Sequence, residues 1–112
     1  MNSYRPWGNF EIIATGDTYQ VKKLTVKPNE KLSLQYHNYR SEKWIVVSGA
    51  GKAVISDAEL QLSVGDYVQI EAKQIHRLIN DSNNPLVIIE IQIGTIIEES
   101  DIVRIEDIYG RS

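Results

Sequence analysis

From Tyr19 to Lys27 the chain reads YQVKKLTVK, and apolar and polar side chains alternate. Residues two apart along a strand share a face, so Val21 and Lys23 fall on one side and Lys22, Leu24 and Val26 on the other. Segments 43–49 (KWIVVSG), 52–56 (KAVIS), 59–63 (ELQLS), 67–71 (YVQIE) and 86–93 (LVIIEIQI) are short and rich in valine, isoleucine and aromatics. That composition predicts strands. Turn signals divide them: PNE at 28–30, GAG at 49–51, SDA at 56–58, VGD at 64–66 and NDSNNP at 80–85. No long window carries a capped helical period. One short helical turn is expected near 100–110, with Ser100 and Asp101 as its caps. Short strands joined by hairpin-length turns predict an all-β antiparallel sandwich or barrel, a single domain over 1–112.

The bulk numbers narrow the function classes. Of the 112 residues, 42% are hydrophobic and 24% charged, ordinary for a soluble globular chain. A net charge of −3 and the lack of any Lys/Arg cluster argue against nucleic acid as a partner. With no cysteine there is neither a disulfide nor a thiolate metal site. The opening MNSYRPWGNFE has no apolar core of a signal peptide. The longest apolar run, 86–97, is interrupted by Glu90 and Gln92 and is too short to span a bilayer. A cytoplasmic protein with no membrane partner is the expectation.

The candidate chemistry lies in 35-QYHNYRSE-42 and 74-QIHRLIN-80, which hold the chain's two histidines. Gln35 and His37 are two apart and share a strand face. Glu42 follows after four residues, room for a turn and the start of the next strand. His76 opens a further strand. Two imidazoles, a carboxylate and an amide oxygen form a mixed N/O donor set for a divalent metal. It suits zinc first, and also manganese, cobalt, nickel or iron.

The same residues resemble the two motifs of the cupin superfamily. The first motif runs G, five residues, H-x-H, three or four residues, E, six residues, G. This chain reads Asn29, five residues, Gln35-x-His37, four residues, Glu42, six residues, Gly49. The second runs G, five residues, P-x-G, two residues, H, three residues, N. Here it reads Gly65, five residues, Glu71-x-Lys73, two residues, His76, three residues, Asn80. The resemblance implies a double-stranded β-helix, a jelly-roll barrel, with Gln35, His37, Glu42 and His76 as metal ligands. A narrower resemblance runs through 4-YRPWGNFE-11, 21-VKKLTVKPNEKLSLQYH-37, 45-IVVSGAG-51, 76-HRL-78, 88-IIEIQIG-94 and 101-DIVRIEDIYGR-111. These look like the type II mannose-6-phosphate isomerases, often the C-terminal part of a bifunctional enzyme with a mannose-1-phosphate guanylyltransferase.

That resemblance implies a metal-dependent isomerase interconverting mannose 6-phosphate and fructose 6-phosphate, acting as a homodimer, with a separate guanylyltransferase as a further partner. No Gly-rich phosphate loop is present, so guanylyl transfer is not expected. Arg104 and Arg111 match the family ending and would neutralise the phosphate or an enediolate; Arg40 matches a position between the ligands. Glu90 interrupts an apolar strand, and a carboxylate there needs a cavity or a partner, which makes it the base candidate. Lys22 shares a face with Leu24 and Val26, which turns its ammonium inward. The family's Q-M-H-H-H-R-A-E-H-W reads 35-QYHNYRSEKW-44 here, so three of its histidines are Asn38, Tyr39 and Lys43. Two other readings follow from those departures. One is a metal- and sugar-binding cupin without catalysis. The other is a cupin isomerase or epimerase for a different sugar phosphate or a nucleotide sugar.

Overall fold

The computed structural model describes residues 2–111. They form eleven strands: β1 (Asn2–Arg5), β2 (Gly8–Thr15), β3 (Tyr19–Val26), β4 (Leu34–Tyr36), β5 (Ser41–Ser48), β6 (Gly51–Ile55), β7 (Ala58–Leu62), β8 (Tyr67–Ile70), β9 (His76–Ile79), β10 (Leu86–Ile93) and β11 (Val103–Glu106). Among the described residues there is no helix. One sheet has the order β1-β2-β3-β10-β5-β8 and the other β11-β4-β9-β6-β7. Their pairings are antiparallel throughout.

Each strand predicted by alternation is present, and the inward residues of β3 are Lys22, Leu24 and Val26, as the period of two requires. The helical turn expected near 100–110 is instead strand β11, laid against β4 with Val103 opposite Tyr36 and Arg104 opposite Gln35. The apolar spacing of Ile102, Ile105 and Ile108 imitates a helix. The open edge of β4 offers a ladder of backbone hydrogen bonds, and pairing there wins.

The inward faces change character along their length. On β10, Leu86 and Ile88 are buried in the hydrophobic core, and Glu90 and Gln92 continue the same face toward a cleft. On β5 the sequence is Val46, Trp44, Glu42, and on β3 it is Val26, Leu24, Lys22. The registers align these changes: Glu90 stands opposite both Lys22 and Trp44, and Gln92 opposite Glu42. The interior is therefore two halves, an apolar one holding Leu78, Leu86 and Ile88 and a polar one that opens to solvent. On β10 the outward residues are Val87, Ile89, Ile91 and Ile93, so this strand is aliphatic outside and partly polar inside.

Candidate metal site

The polar half is a cleft of about 130 Å³, walled on its apolar side by Trp7, Phe10 and Leu24. His37, Glu42 and His76 each offer a ligand atom, all within 4.8 Å of one another. His37 Nε2 lies 3.3 Å from Glu42 Oε2, and His76 Nε2 lies 3.7 Å from Glu42 Oε1. Gln35 pairs directly with His76 across β4 and β9 and lines the same cleft. The four residues singled out by spacing are thus drawn together from three strands and a loop.

The second ring nitrogens fix the tautomers. His37 Nδ1 donates to the Asp101 carbonyl at 2.7 Å, and His76 Nδ1 donates to the Gln74 carbonyl at 2.8 Å. Both protons are then on Nδ1, and both Nε2 lone pairs face Glu42. Backbone acceptors behind the ring are the usual outer support of ligating histidines. Burial holds both imidazoles below their ordinary pKa against the opposing pull of Glu42, so they are neutral donors near pH 7. Burial pushes the Glu42 carboxyl up, but the pull of its basic neighbours His37, Arg40 and His76 leaves it below its usual value, and Arg40 is the one of them that stays charged while both imidazoles are neutral. Arg40 Nε donates to Glu42 Oε2 at 2.9 Å, and its Nη2 donates to His37 Nε2 at 3.3 Å. His76 Nε2 is fully buried and has no hydrogen-bond partner among the described residues. A buried ring nitrogen left without a partner is costly, and a cation is the partner it lacks. The residues present therefore fit a divalent metal.

The backbone behind this site carries strain at a telling place. Lys73 stands where the motif has glycine, and its φ is 68°. Its amide donates to the His37 carbonyl at 2.6 Å, so the turn helps hold the ligand strand. A left-handed lysine costs about 1–2 kcal/mol. Lys73→Gly should relieve that, less the chain entropy glycine adds, for a net gain of about 0.5–1 kcal/mol. Thermal unfolding should then show a midpoint roughly 2–5 °C higher. A lower midpoint would mean that the lysine side chain makes a contact worth more than the strain. Asn29, in place of the first motif's glycine, takes the same conformation with φ 60°.

The remaining predicted residues also gather here. Glu90 is 6% exposed. Its Oε2 accepts from Trp44 Nε1 at 3.1 Å and its Oε1 from Gln92 Nε2 at 2.6 Å. Burial, then the charge of Glu42, push its pKa up to about 8, against the pull of Lys22 and Arg40. Trp44 Nε1 also reaches Glu42 Oε1 at 3.2 Å, so one indole ties the two carboxylates. Lys22, Arg40, Arg104 and Arg111 line the cleft as well. Arg111 is held by Asp107 through Nε at 2.8 Å and Nη2 at 3.1 Å. Asp107 is pulled down to about 2, chiefly by those Arg111 hydrogen bonds.

Sequence reasoning missed Arg5, Gln92 and Glu99, all of which line the cleft. Gln92 was legible, since it follows Glu90 on the same face. Arg5 and Glu99 carry no periodic signal. Conversely, Asn38, Tyr39 and Lys43 do not line the cleft, and Lys43 lies on the outward face of β5.

The model of the family described as "Mannose-6-phosphate isomerase C-terminal" matches residues 1–107. The alginate biosynthesis protein AlgA of Pseudomonas aeruginosa is 45% identical over 109 residues, 97% of this chain and 23% of that protein. The xanthan biosynthesis protein XanB of Xanthomonas campestris is 47% identical over the same length and shares. A mannose-1-phosphate guanylyltransferase of Escherichia coli is 44% identical over 108 residues, 96% of this chain and 23% of the relative. The chain spans about a quarter of the length of these relatives. Among solved structures, a double-stranded β-helix protein of Klebsiella pneumoniae superposes with TM-score 0.73 at 15% identity, covering 86% of this chain and 82% of that one. The capsular polysaccharide assembling protein CapF of Staphylococcus aureus gives 0.80 at 21%, covering 95% and 34%. At such identities these likenesses speak to the fold, which is the cupin double-stranded β-helix.

Proposed function

Because the chain belongs to the mannose-6-phosphate isomerase C-terminal family, we propose that it interconverts mannose 6-phosphate and fructose 6-phosphate. The observation that carries this reading is one cleft lined by His37, Glu42, the buried carboxyl of Glu90 and the ammonium of Lys22, with His76 completing the candidate metal group alongside His37 and Glu42. Aldose–ketose exchange moves a proton from C2 to C1 while another passes between the two oxygens. That calls for a group able to take and return a proton, electrophilic support at the oxygens and positive charge for the phosphate. Gln35, His37, Glu42 and His76 would hold the divalent ion, zinc in the first instance, which supplies Lewis acidity at the sugar oxygens. Glu90 would carry the proton between the carbons. Its support from Trp44 and Gln92 fixes the carboxyl, and burial keeps its proton affinity close to working pH. Lys22, Arg104 and Arg111 would take the phosphate, and Arg40 would keep Glu42 charged and oriented.

Of the three histidine departures, Lys43 lies on the outward face of β5, and the Asn38 and Tyr39 amides donate to the Asp101 carboxylate beside the His37 ligand. A metal- and sugar-binding cupin without catalysis is the second reading, and turnover decides between the two. The test is a coupled assay in both directions. The protein is first stripped with chelator and then reloaded singly with zinc, manganese, cobalt or nickel. Interconversion is expected only after reloading. Its absence with every metal, in protein that binds metal, would end the isomerase reading and leave a metal-binding cupin.

A further inference from the structure

Glu99 has no part in the proton transfer, yet its carboxylate sits on the cations of the cleft. Its Oε2 accepts from Lys22 Nζ at 2.8 Å, and its Oε1 lies 3.6 Å from Arg5 Nη2. The two partners are unlike in exposure: Lys22 is 4% exposed and the Glu99 side chain 55%. The Phe10 ring lies beside both cations, 4.1 Å from Lys22 Nζ and 4.9 Å from Arg5 Cζ. One carboxylate is thus clamped between an ammonium and a guanidinium over an aromatic surface. Burial alone would raise this carboxyl, but Lys22 outweighs it, with Arg40 and Arg5 adding to the pull, so it stays charged.

The backbone around Glu99 is pinned independently of that carboxylate. The Glu98 carbonyl accepts from Arg40 Nη1 at 3.3 Å. The Asp101 carboxylate accepts from the Asn38 and Tyr39 amides at 2.8 and 3.0 Å. The Gly94 amide donates to the Thr18 carbonyl at 3.0 Å. The side chain of Glu99 can therefore leave its cations by rotating about its own bonds while the segment stays in place.

We propose that Glu99 is a built-in competitor for the ligand's phosphate: it neutralises Lys22 and Arg5 in the free protein, and phosphate binds by taking those cations from it. This rests on the sugar-phosphate reading above. A buried ammonium needs an anion at all times, and Glu99 supplies one when the cleft holds no substrate. A phosphate carries nearly two charges and three acceptor oxygens and displaces a single carboxylate. A monoanionic sugar acid gains nothing by the exchange. Glu99 therefore sets specificity for the dianion.

The experiment is calorimetric titration of inorganic phosphate and of mannose 6-phosphate into wild type, Glu99→Gln and Glu99→Ala. Both changes take from the buried Lys22 ammonium its carboxylate partner, so circular dichroism and thermal unfolding first establish that each variant is folded. Both variants should bind inorganic phosphate about three- to tenfold more tightly than wild type. Mannose 6-phosphate should gain in the same proportion, and the gain should shrink as salt is raised. Unchanged or weaker phosphate binding in both variants overturns the proposal, as does no phosphate binding by any of the three proteins. Tighter phosphate binding without sugar interconversion would keep the competitor and remove the isomerase. Interconversion with unaltered phosphate affinity would do the reverse.

Discussion

His76→Ala should weaken zinc binding by more than about 100-fold, beyond the loss usual for outer-shell partners of a ligand. Metal content after dialysis, with affinity from competition against a chromophoric chelator, reads this directly. The reason is geometric. His76 is 1% exposed, its Nδ1 is committed to the Gln74 carbonyl, and its Nε2 has no partner among the described residues. A neutral imidazole aimed at Glu42 from 3.7 Å is placed to share a cation with it. Its ring also packs edge-on against Trp44, with centroids 5.6 Å apart, so truncation leaves a cavity. Circular dichroism and a second variant, His76→Asn, separate lost ligation from lost packing. A folded variant with wild-type metal content would remove His76 from the ligand set.

Glu90→Gln should lower kcat by about 10²- to 10⁴-fold with KM little changed, the usual size of a lost proton-transfer group. Glutamine keeps the volume and its one oxygen can accept from Trp44 or from Gln92 but not from both, so the change removes the titrating proton and one of two hydrogen bonds. Undiminished turnover would pass the base role to another group. A second readout is independent of turnover and uses metal-free protein. The Glu90 pKa is raised from 4.5 to about 8, so through that window the folded chain keeps a proton that the unfolded chain has released. Stability conferred by that proton is full below 4.5 and is lost as pH rises through about 8. Wild type should therefore lose stability across this window relative to Glu90→Gln, and the difference in urea midpoints should widen with pH. A constant difference would mean that Glu90 is not held protonated by the fold.

How much of this was readable in the sequence depends on what each signal reports. Alternation reports which face is buried, and it located β3, β5 and β10 because a period of two leaves no other arrangement. The spacing of the two motifs brought Gln35, His37, Glu42 and His76 together before any coordinates. Asp101 shows the limit. Its capping chemistry was legible, but the amides it accepts from belong to Asn38 and Tyr39 rather than to a helix of its own. A side chain declares that it can accept a hydrogen bond and not from which part of the chain. Glu99 was illegible for the same reason. In 97-IEES-100 it looks like a solvated turn, and only the placing of β1 and β3 brings Arg5 and Lys22 to it.

The two-halved interior constrains how this protein can be made tougher. Core and cleft draw on the same strands and the same inward positions, β10 supplying Ile88 to one and Glu90 to the other. Replacing Glu90, Gln92 or Lys22 with aliphatics would extend the apolar half and remove buried polar groups that weigh against folding. Selection on melting temperature alone would therefore reach thermostable variants quickly by silting up the cleft. Gains that spare the cleft have to come from turns such as that at Lys73 and from the outer surfaces, where the chain can harden without filling the space between its sheets.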